Sequence, residues 1–443
     1  MKVELAGHYG YGRIIRTMMP MVAMMVVTSV YSIVDGLFVS NYAGSTAFAA
    51  MNIVWPAIAL LGAVGLMIGA GGSALVSKTL GEGDPDRANR YFTMLIHLSV
   101  IIGLAFTAVG IVFMPQLVVW LGAEGEIVPY AVTYGRIVLV SLTPFILQME
   151  FQSFYMTAER PQLGTVMSIV SGLANIGLDA LFVAVFGWGL TGAAVATMIS
   201  ITIGGLYPIW YFCSSHNDTQ LRFVAFSYDW RAVAKSCSNG MSEFVGNIAL
   251  NVIAICYNLQ LMKYIGENGV DAYGIIMYLG FVFAAVFIGY NIGMTQVIAY
   301  NYGARNHAEL TSLLRKSLVI VGVSGLLMTA LAEVSAPLMA RIFVGYNEQL
   351  ASLTVYATRV YMLSFLLCGF NMFASAWFTA LNNGIISAVA AFTRTLVFEL
   401  ASVFVLPSLL GIDGIWLSVS VAEGLAFILS VALIAGYRRR YGY

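Results

Sequence analysis

The sequence predicts an all-α polytopic membrane protein with twelve transmembrane helices, in two six-helix bundles related by a pseudo-two-fold axis along the membrane normal. Three observations predict it: a composition that water does not solvate, twelve apolar stretches of spanning length, and an internal repeat that halves the chain. Of 443 residues, 21 are Lys or Arg and 21 are Asp or Glu, so 9% are charged while 60% are hydrophobic. A soluble domain carries roughly 25% charged residues. A chain this apolar has too few polar groups to cover a water-facing surface, so its solvent is a bilayer. The net charge is zero, which leaves no basic face for nucleic acid. Cys213, Cys237, Cys256 and Cys368 show no CxxC spacing and read as small buried hydrophobes. The sequence carries no P-loop, dinucleotide fingerprint or HExxH motif, so no cofactor, no ATP-driven step and no enzymatic activity are expected.

A spanning helix needs about 20 mostly apolar residues. Such stretches run over 13–40, 47–73, 88–118, 128–157, 161–184, 189–213, 235–264, 270–298, 308–338, 350–380, 384–408 and 413–437. Glu4, His8 and Arg13 precede the first stretch without a small-residue cleavage site, so the first helix is expected to stay. Twelve spans put both termini on one side. That side collects 16 of the 21 basic residues, from Lys2, Arg13 and Arg16 to Arg438, Arg439 and Arg440. The other side has Arg136, Lys263, Arg341 and Arg359, and Arg394 falls inside a span. This asymmetry predicts a cell (inner) membrane protein with cytoplasmic termini. The longest polar stretch, around SSHNDTQLR, marks a cytoplasmic linker over 214–231 between an N-terminal lobe, 1–213, and a C-terminal lobe, 232–443.

The halves align at a near-constant offset. GGSALVSKTLGEGDPDRANR lies over GMTQVIAYNYGARNHAELTS, with Gly71 on Gly293 and Gly81 on Gly303. TYGRIVLVSLTPF lies over YATRVYMLSFLLC, FYMTAERP over WFTALNNG, and FGWGLTGAAVAT over LLGIDGIWLSVS. Asp179 falls on Glu399 at almost the same offset. An even number of spans per repeat makes the repeats parallel, with their axis along the membrane normal. Two facing bundles enclose a central cavity.

Ionisable side chains in hydrocarbon cost at least about 2.5–3.5 kcal/mol, so each needs a reason. Asp35 lies about 22 residues into the first span, roughly 30 Å of climb, and Asp179 roughly 27 Å into the fifth. Asn175 is one turn below Asp179 on the same face. Thr197 sits roughly 12 Å down the sixth span, at a similar depth. Two carboxylates, an amide and a hydroxyl suit a hard cation such as Na⁺. Two close carboxylates also resist joint ionisation, so one would hold a proton. The alternative is a structural cluster that ties helices one, five and six together. Tyr31, one turn before Asp35, reads equally as its hydrogen-bond donor or as interfacial packing, and Pro20 as a moving or a static kink. Glu243, about 8 residues into the seventh span, reads evenly as functional or structural. Arg394 and Glu399 are five positions apart, about 140° round an α-helix, so each is expected to find a partner on another helix. A structural network is the first reading for them and substrate contact the second. Glu150 and Glu333 read as interfacial, Lys263, Arg136 and Arg359 as snorkelling, and His97 as a packing residue.

Four segments carry a family resemblance: PMVAMMVVTSVYSIVDGLFVSNYAG, GAGGSALVSKTLGEGD, NIGLDALFVAVFGWGLTGAAVAT, and R-x-x-x-x-E followed by LLGIDGIWLSVSVAEGLAF. Together they resemble the multidrug and toxic compound extrusion (MATE) family over essentially the whole chain. The resemblance implies secondary active efflux of amphipathic, cationic drugs in exchange for inward H⁺ or Na⁺ by rocking of two lobes, and a functional monomer. It implies that Asp35, Asn175, Asp179 and Thr197, which match by motif, form the N-lobe cation and proton site. Some branches carry a functional glutamate in the seventh helix after a proline. Here the sequence reads Gly240-Met241-Ser242-Glu243, without the proline. The alternative within transport is a flippase for lipid or lipid-linked substrates, which usually has more spans or a basic central cavity. A lipid-modifying enzyme would need a clustered His/Asp or Ser/His set, and His8, His97, His216 and His307 are scattered. The expected partners are small-molecule drugs and membrane lipid.

Overall fold

A computed structural model describes residues 4–38, 42, 44–345 and 347–443. Lys2 and the last two residues of the first expected span, 39–40, lie outside the described residues. The regular secondary structure of the described residues is entirely helical. In chain order the helices are α1 (Tyr11–Phe38), α2 (Ser45–Gly81), α3 (Pro85–Trp120), α4 (Ile127–Val140), α5 (Leu142–Thr157), α6 (Pro161–Asp179) and α7 (Gly189–Cys213). Then follow α8 (Trp230–Tyr264), α9 (Glu267–Gly303), α10 (His307–Val344), α11 (Glu348–Met362), α12 (Phe365–Ala380), α13 (Gly384–Phe392), α14 (Leu400–Leu410) and α15 (Ile412–Tyr441). Among the elements described in full, the π-helical segments Ala180–Val185 and Thr393–Glu399 follow α6 and join α13 to α14, respectively.

Among the described residues ten helices are long and apolar enough to cross a membrane singly, and two bent pairs, each taken as one span, bring the count to twelve. The bent pairs correct the expectation of single helices over 128–157 and 350–380. α4 and α5 meet at 57°, and α11 and α12 at 42°. In the first pair Pro144 has no N–H to give the Val140 carbonyl, so α4 stops there. Ser141 closes the turn instead, its N–H and hydroxyl both donating to the Val138 carbonyl at 3.0 and 2.8 Å.

The repeat is visible in the turns. Asp84 caps α3 by accepting from the Arg87 N–H. Asn306, its counterpart in the second half, caps α10 by accepting from the Glu309 N–H. The residue before each cap takes a left-handed backbone, Gly83 at φ 83° and Arg305 at φ 55°. Glu159 and Asn382, in the FYMTAERP and WFTALNNG segments, do the same at φ 59° and 55°. The turn geometry is therefore copied where the residue identity is not.

The crossings between lobes are copied too. A Cβ at Gly81 would overlap the Tyr300 carbonyl, and a Cβ at Gly303 would overlap the Lys78 carbonyl. The offset that carries Gly81 to Gly303 also carries Lys78 to Tyr300, so α2 and α9 make the same contact twice. It likewise carries Gly71 to Gly293 and Met18 to Gly240. The α2–α8 approach at Gly71 and Gly240 thus repeats as the α9–α1 approach at Gly293 and Met18. A surface that meets its own copy this way is two-fold related.

The segment that begins at Glu4 and the end of α15 both lie at the end of the molecule where these crossings occur. Every inter-lobe hydrogen bond among the described residues belongs to this terminus-bearing half. Gln296 of α9 takes a hydrogen bond from Ser77 (2.9 Å) and Thr157 (3.2 Å), and its amide donates to Ser73 (2.8 Å). The segment before α1 straps the seam. The Leu5 N–H donates to Glu159 of the N-terminal lobe at 3.0 Å, and the Tyr9 N–H to Glu309 of the C-terminal lobe at 2.8 Å. His8 also meets Glu309 at 2.8 Å, and the Lys316 ammonium donates to the Tyr9 carbonyl at 2.5 Å. The stretch between α7 and α8 lies along α3: the Arg222 N–H donates to Asn89 (2.8 Å), and His97 bonds the Tyr228 hydroxyl (2.7 Å).

Candidate functional site

Asp35 on α1 and Asp179 at the end of α6 come together across the packed α1–α6 pair, with Asn175 beside them. Asp179 and Asn175 are fully buried, at 0% and 2% exposure. A contact between two carboxyls is a hydrogen bond only when one holds a proton. Without it, both Asp179 oxygens and the Asp35 Oδ1 have no donor on them. The Asn175 Oδ1 is also unpartnered. Thr197 is buried on α7, and its hydroxyl has no hydrogen-bond partner among the described residues. One turn from it, the Ser171 hydroxyl donates to the Ser200 carbonyl at 2.7 Å and sets the α6–α7 register. The cluster therefore presents several buried oxygens that carry no donor among the described residues, and buried oxygens of this kind take a partner.

The chain passes from α to π geometry immediately after Asp179. Such i→i+5 segments concentrate at functional sites because they turn neighbouring side chains out of α register. Tyr31 packs its ring on Gly172 of α6, where a Cβ would come within 2.8 Å of it. It makes no hydrogen bond to Asp35 among the described residues. Tyr134 of α4, at 2% exposure, faces both Asp35 and Asp179. Sequence reading passed over it, because Tyr134 lies at no helical spacing from either acid and reaches them only through the fold.

In the C-terminal lobe the second π segment holds both Arg394 and Glu399. Arg394 pairs with Glu423 of α15: Nε donates at 2.9 and 3.1 Å and a terminal nitrogen at 2.6 Å. The Asn371 amide of α12 donates to Glu423 Oε2 at 2.6 Å, and Ser430 donates to Asn371 at 2.9 Å. Arg394 also donates to Cys368 at 3.3 Å. Glu399 is half-buried, near this pair, and faces a cluster of Tyr257, Tyr273 and Tyr361. Tyr257 and Tyr273 stack at 5.0 Å. The repeat offset takes Asp35 to Tyr257, and Glu399 is the counterpart of Asp179. The lobe that has two acids thus faces one that has an acid and a tyrosine.

Glu243 is exposed on α8, with Asn247 and Asn251 following at helical spacing. A polar stripe on a spanning helix faces a wet interior rather than lipid. Asn247 and Asn251 were missed because single amides do not interrupt an apolar stretch. Glu150 is fully buried beside Ser99 rather than interfacial, held in by the close approach of α2 at Gly69. Glu333 meets Arg359 at 3.3 Å. The Arg136 Nε donates to the Ile111 carbonyl at 3.3 Å.

The geometry matches known proteins along its whole length. The MatE family model matches residues 20–181 and 244–405, once in each half. The multidrug export protein MepA of Staphylococcus haemolyticus (strain JCSC1435) is 26% identical over 450 residues, covering 99% of this chain and 97% of that protein. A crystal structure of MATE in complex with MaL6 superposes with a TM-score of 0.92 at 23% identity, over 99% of this chain and 97% of that one. A multidrug resistance MATE family transporter of the MOP superfamily in an outward-facing conformation also gives 0.92, at 22% identity over 99% and 100% of the two chains. With two copies of the family model covering most of its length, and the fold of its solved transporters, this chain belongs to the MatE family.

Proposed function

We propose that this chain is a secondary active transporter that exports amphipathic, cationic drugs in exchange for inward H⁺ or Na⁺, with both termini in the cytoplasm of the cell that carries it in its inner membrane. Its family is one of transporters rather than enzymes, and its relative MepA is a multidrug export protein. The observation that carries the coupling is the buried contact between Asp35 and Asp179. Like charges in contact in a low-dielectric site repel strongly, so the pair takes up a proton or a monovalent cation. Asn175 and Thr197 supply further oxygens for a bound Na⁺.

α1 connects this site to the seam between lobes. Asp35 lies near one end, and Met18 and Met21 near the other pack against Gly293 and Gly289 of α9. Pro20 lies between them and leaves the Arg16 carbonyl without its helical donor. α1 nevertheless runs unbroken through Pro20, whose carbonyl accepts from the Thr165 hydroxyl at 2.6 Å. Filling the acid pair with a proton or cation changes how α1 packs on α6, and hence the seam it shares with α9. Ion entry from outside would favour the state that releases drug, and drug binding from the cytoplasm the state that releases the ion. Each ligand shifts the lobes only by its difference in affinity for the two states.

The test is drug transport in inverted vesicles with a Na⁺ gradient and a pH gradient imposed separately. One of the two is expected to drive export, and Asp35→Asn is expected to abolish it while protein of normal abundance stays in the membrane. Wild-type drug resistance from Asp35→Asn would overturn the proposal.

A further inference from the structure

Away from the acid pair, a groove of about 380 Å³ opens between α10, α12 and α15 at the terminus-bearing end of the C-terminal lobe. Phe370 and Phe427 line it in an edge-to-face pair with ring centroids 5.5 Å apart, flanked by Leu318 and Val431. Arg315 and Arg438 line its end nearest the last turn of α15, which holds Arg438. Further from that end, exposed aliphatic residues continue along both walls: Val319 and Val323 on α10, and Ile428 and Leu425 on α15. A track of exposed aliphatic side chains on spanning helices faces acyl chains.

The two arginines are exposed and available. Among the described residues Arg315 makes no hydrogen bond or ion pair. Arg438 uses its Nε on the Tyr443 carbonyl at 2.9 Å, which leaves its terminal nitrogens. No Asp or Glu lines the groove. Guanidinium forks match phosphate oxygens, and basic pockets between spans at the membrane surface take anionic headgroups.

We propose that this groove binds one anionic phospholipid of the leaflet at the terminus-bearing face, with its phosphate at Arg315 and Arg438 and an acyl chain over the Phe370–Phe427 pair. The proposal rests on the fold and not on the export reading. A zwitterionic lipid would bring a cationic headgroup against two guanidiniums. The groove floor also includes Ser430, whose hydroxyl holds Asn371, which in turn holds Glu423 and through it Arg394. A lipid seated there braces the joint between α12 and α15.

The test uses the purified full chain in detergent, with bound lipid read by native mass spectrometry and stability by thermal unfolding. The probes are dioleoyl phosphatidylglycerol, dioleoyl phosphatidylcholine and free glycerol phosphate. Phosphatidylglycerol is expected to bind at least about tenfold tighter than phosphatidylcholine and to raise the melting temperature. Each arginine is expected to contribute about fivefold. Arg315→Ala with Arg438→Ala should therefore remove the preference, while Arg439→Ala, an exposed arginine outside the groove, should keep it. Ala435→Trp, which fills the groove and leaves both arginines, should lose the bound phosphatidylglycerol. Equal binding of the two lipids, a preference surviving the double substitution, an equal loss in Arg439→Ala, or the same stabilisation by glycerol phosphate alone would each overturn it.

Discussion

Glu423 accepts three hydrogen bonds from Arg394 and a fourth from the Asn371 amide, all inside a span. The pair costs desolvation on both sides, and its attraction repays that only because Arg394 reaches both carboxylate oxygens and the Asn371 amide adds a further donor to Oε2. Removing one partner leaves a buried charge alone. Glu423→Gln is therefore expected to destabilise the protein by about 3–5 kcal/mol, seen as a lower melting temperature in detergent. Arg394→Met with Glu423→Leu should recover most of the loss. A melting temperature unchanged in Glu423→Gln would show that the pair is not holding the Thr393–Glu399 segment to α15. Spacing exposes Arg394 and Glu399 as deep charges in one span, but Glu423 belongs to the next span, at no helical spacing from Arg394. Only packing brings it there. The same limit hid Tyr134, whereas Asp35, Asn175 and Asp179 were legible because helix depth and i,i+4 spacing are properties of the chain itself.

At the scale of elements, the π segments Ala180–Val185 and Thr393–Glu399 fall beside deep charges, Asp179 in one lobe and Arg394 with Glu399 in the other. An i→i+5 segment changes the angle between residues five apart, so the separation expected for Arg394 and Glu399 on an ideal α-helix does not apply. Nothing in a run of apolar residues marks a π turn. The strap over 4–10 was equally hidden, since its hydrogen bonds run to Glu159 and Glu309, which are remote in sequence. Glu309→Ala removes a charged acceptor from the Tyr9 N–H, a loss of about 1.5–3 kcal/mol. Exchange of the Tyr9 amide should then accelerate by roughly ten- to a hundredfold, read by hydrogen–deuterium exchange. Unchanged exchange would mean that the strap is held elsewhere.

For the whole molecule, the seam between lobes depends on glycines that let backbones touch. Gly81 and Gly303 meet carbonyls of the opposite lobe in duplicate, so a side chain at either position pushes the lobes apart at the same level. Gly303→Val is expected to cost roughly 1–3 kcal/mol in the state joined at the terminus-bearing face. Spin-label distances across that face should lengthen, and drug export should fall. Unaltered distances would show that the helices can slide to accommodate the side chain.

Residue order alone was enough to read the solvent, the spanning stretches, the duplication and the depth of the two carboxyls in the N-terminal lobe. Each of these follows from composition, from stretches of a fixed length or from an offset, all local or periodic properties of the chain. Packing in three dimensions settled where two spans break, which partner neutralises Arg394, which tyrosine overlooks the acid pair, and at which end the lobes meet. Those depend on distances between residues far apart in sequence, and in a bilayer close packing sets such distances: wherever glycine lets helices approach, neighbouring polar atoms come within reach of one another.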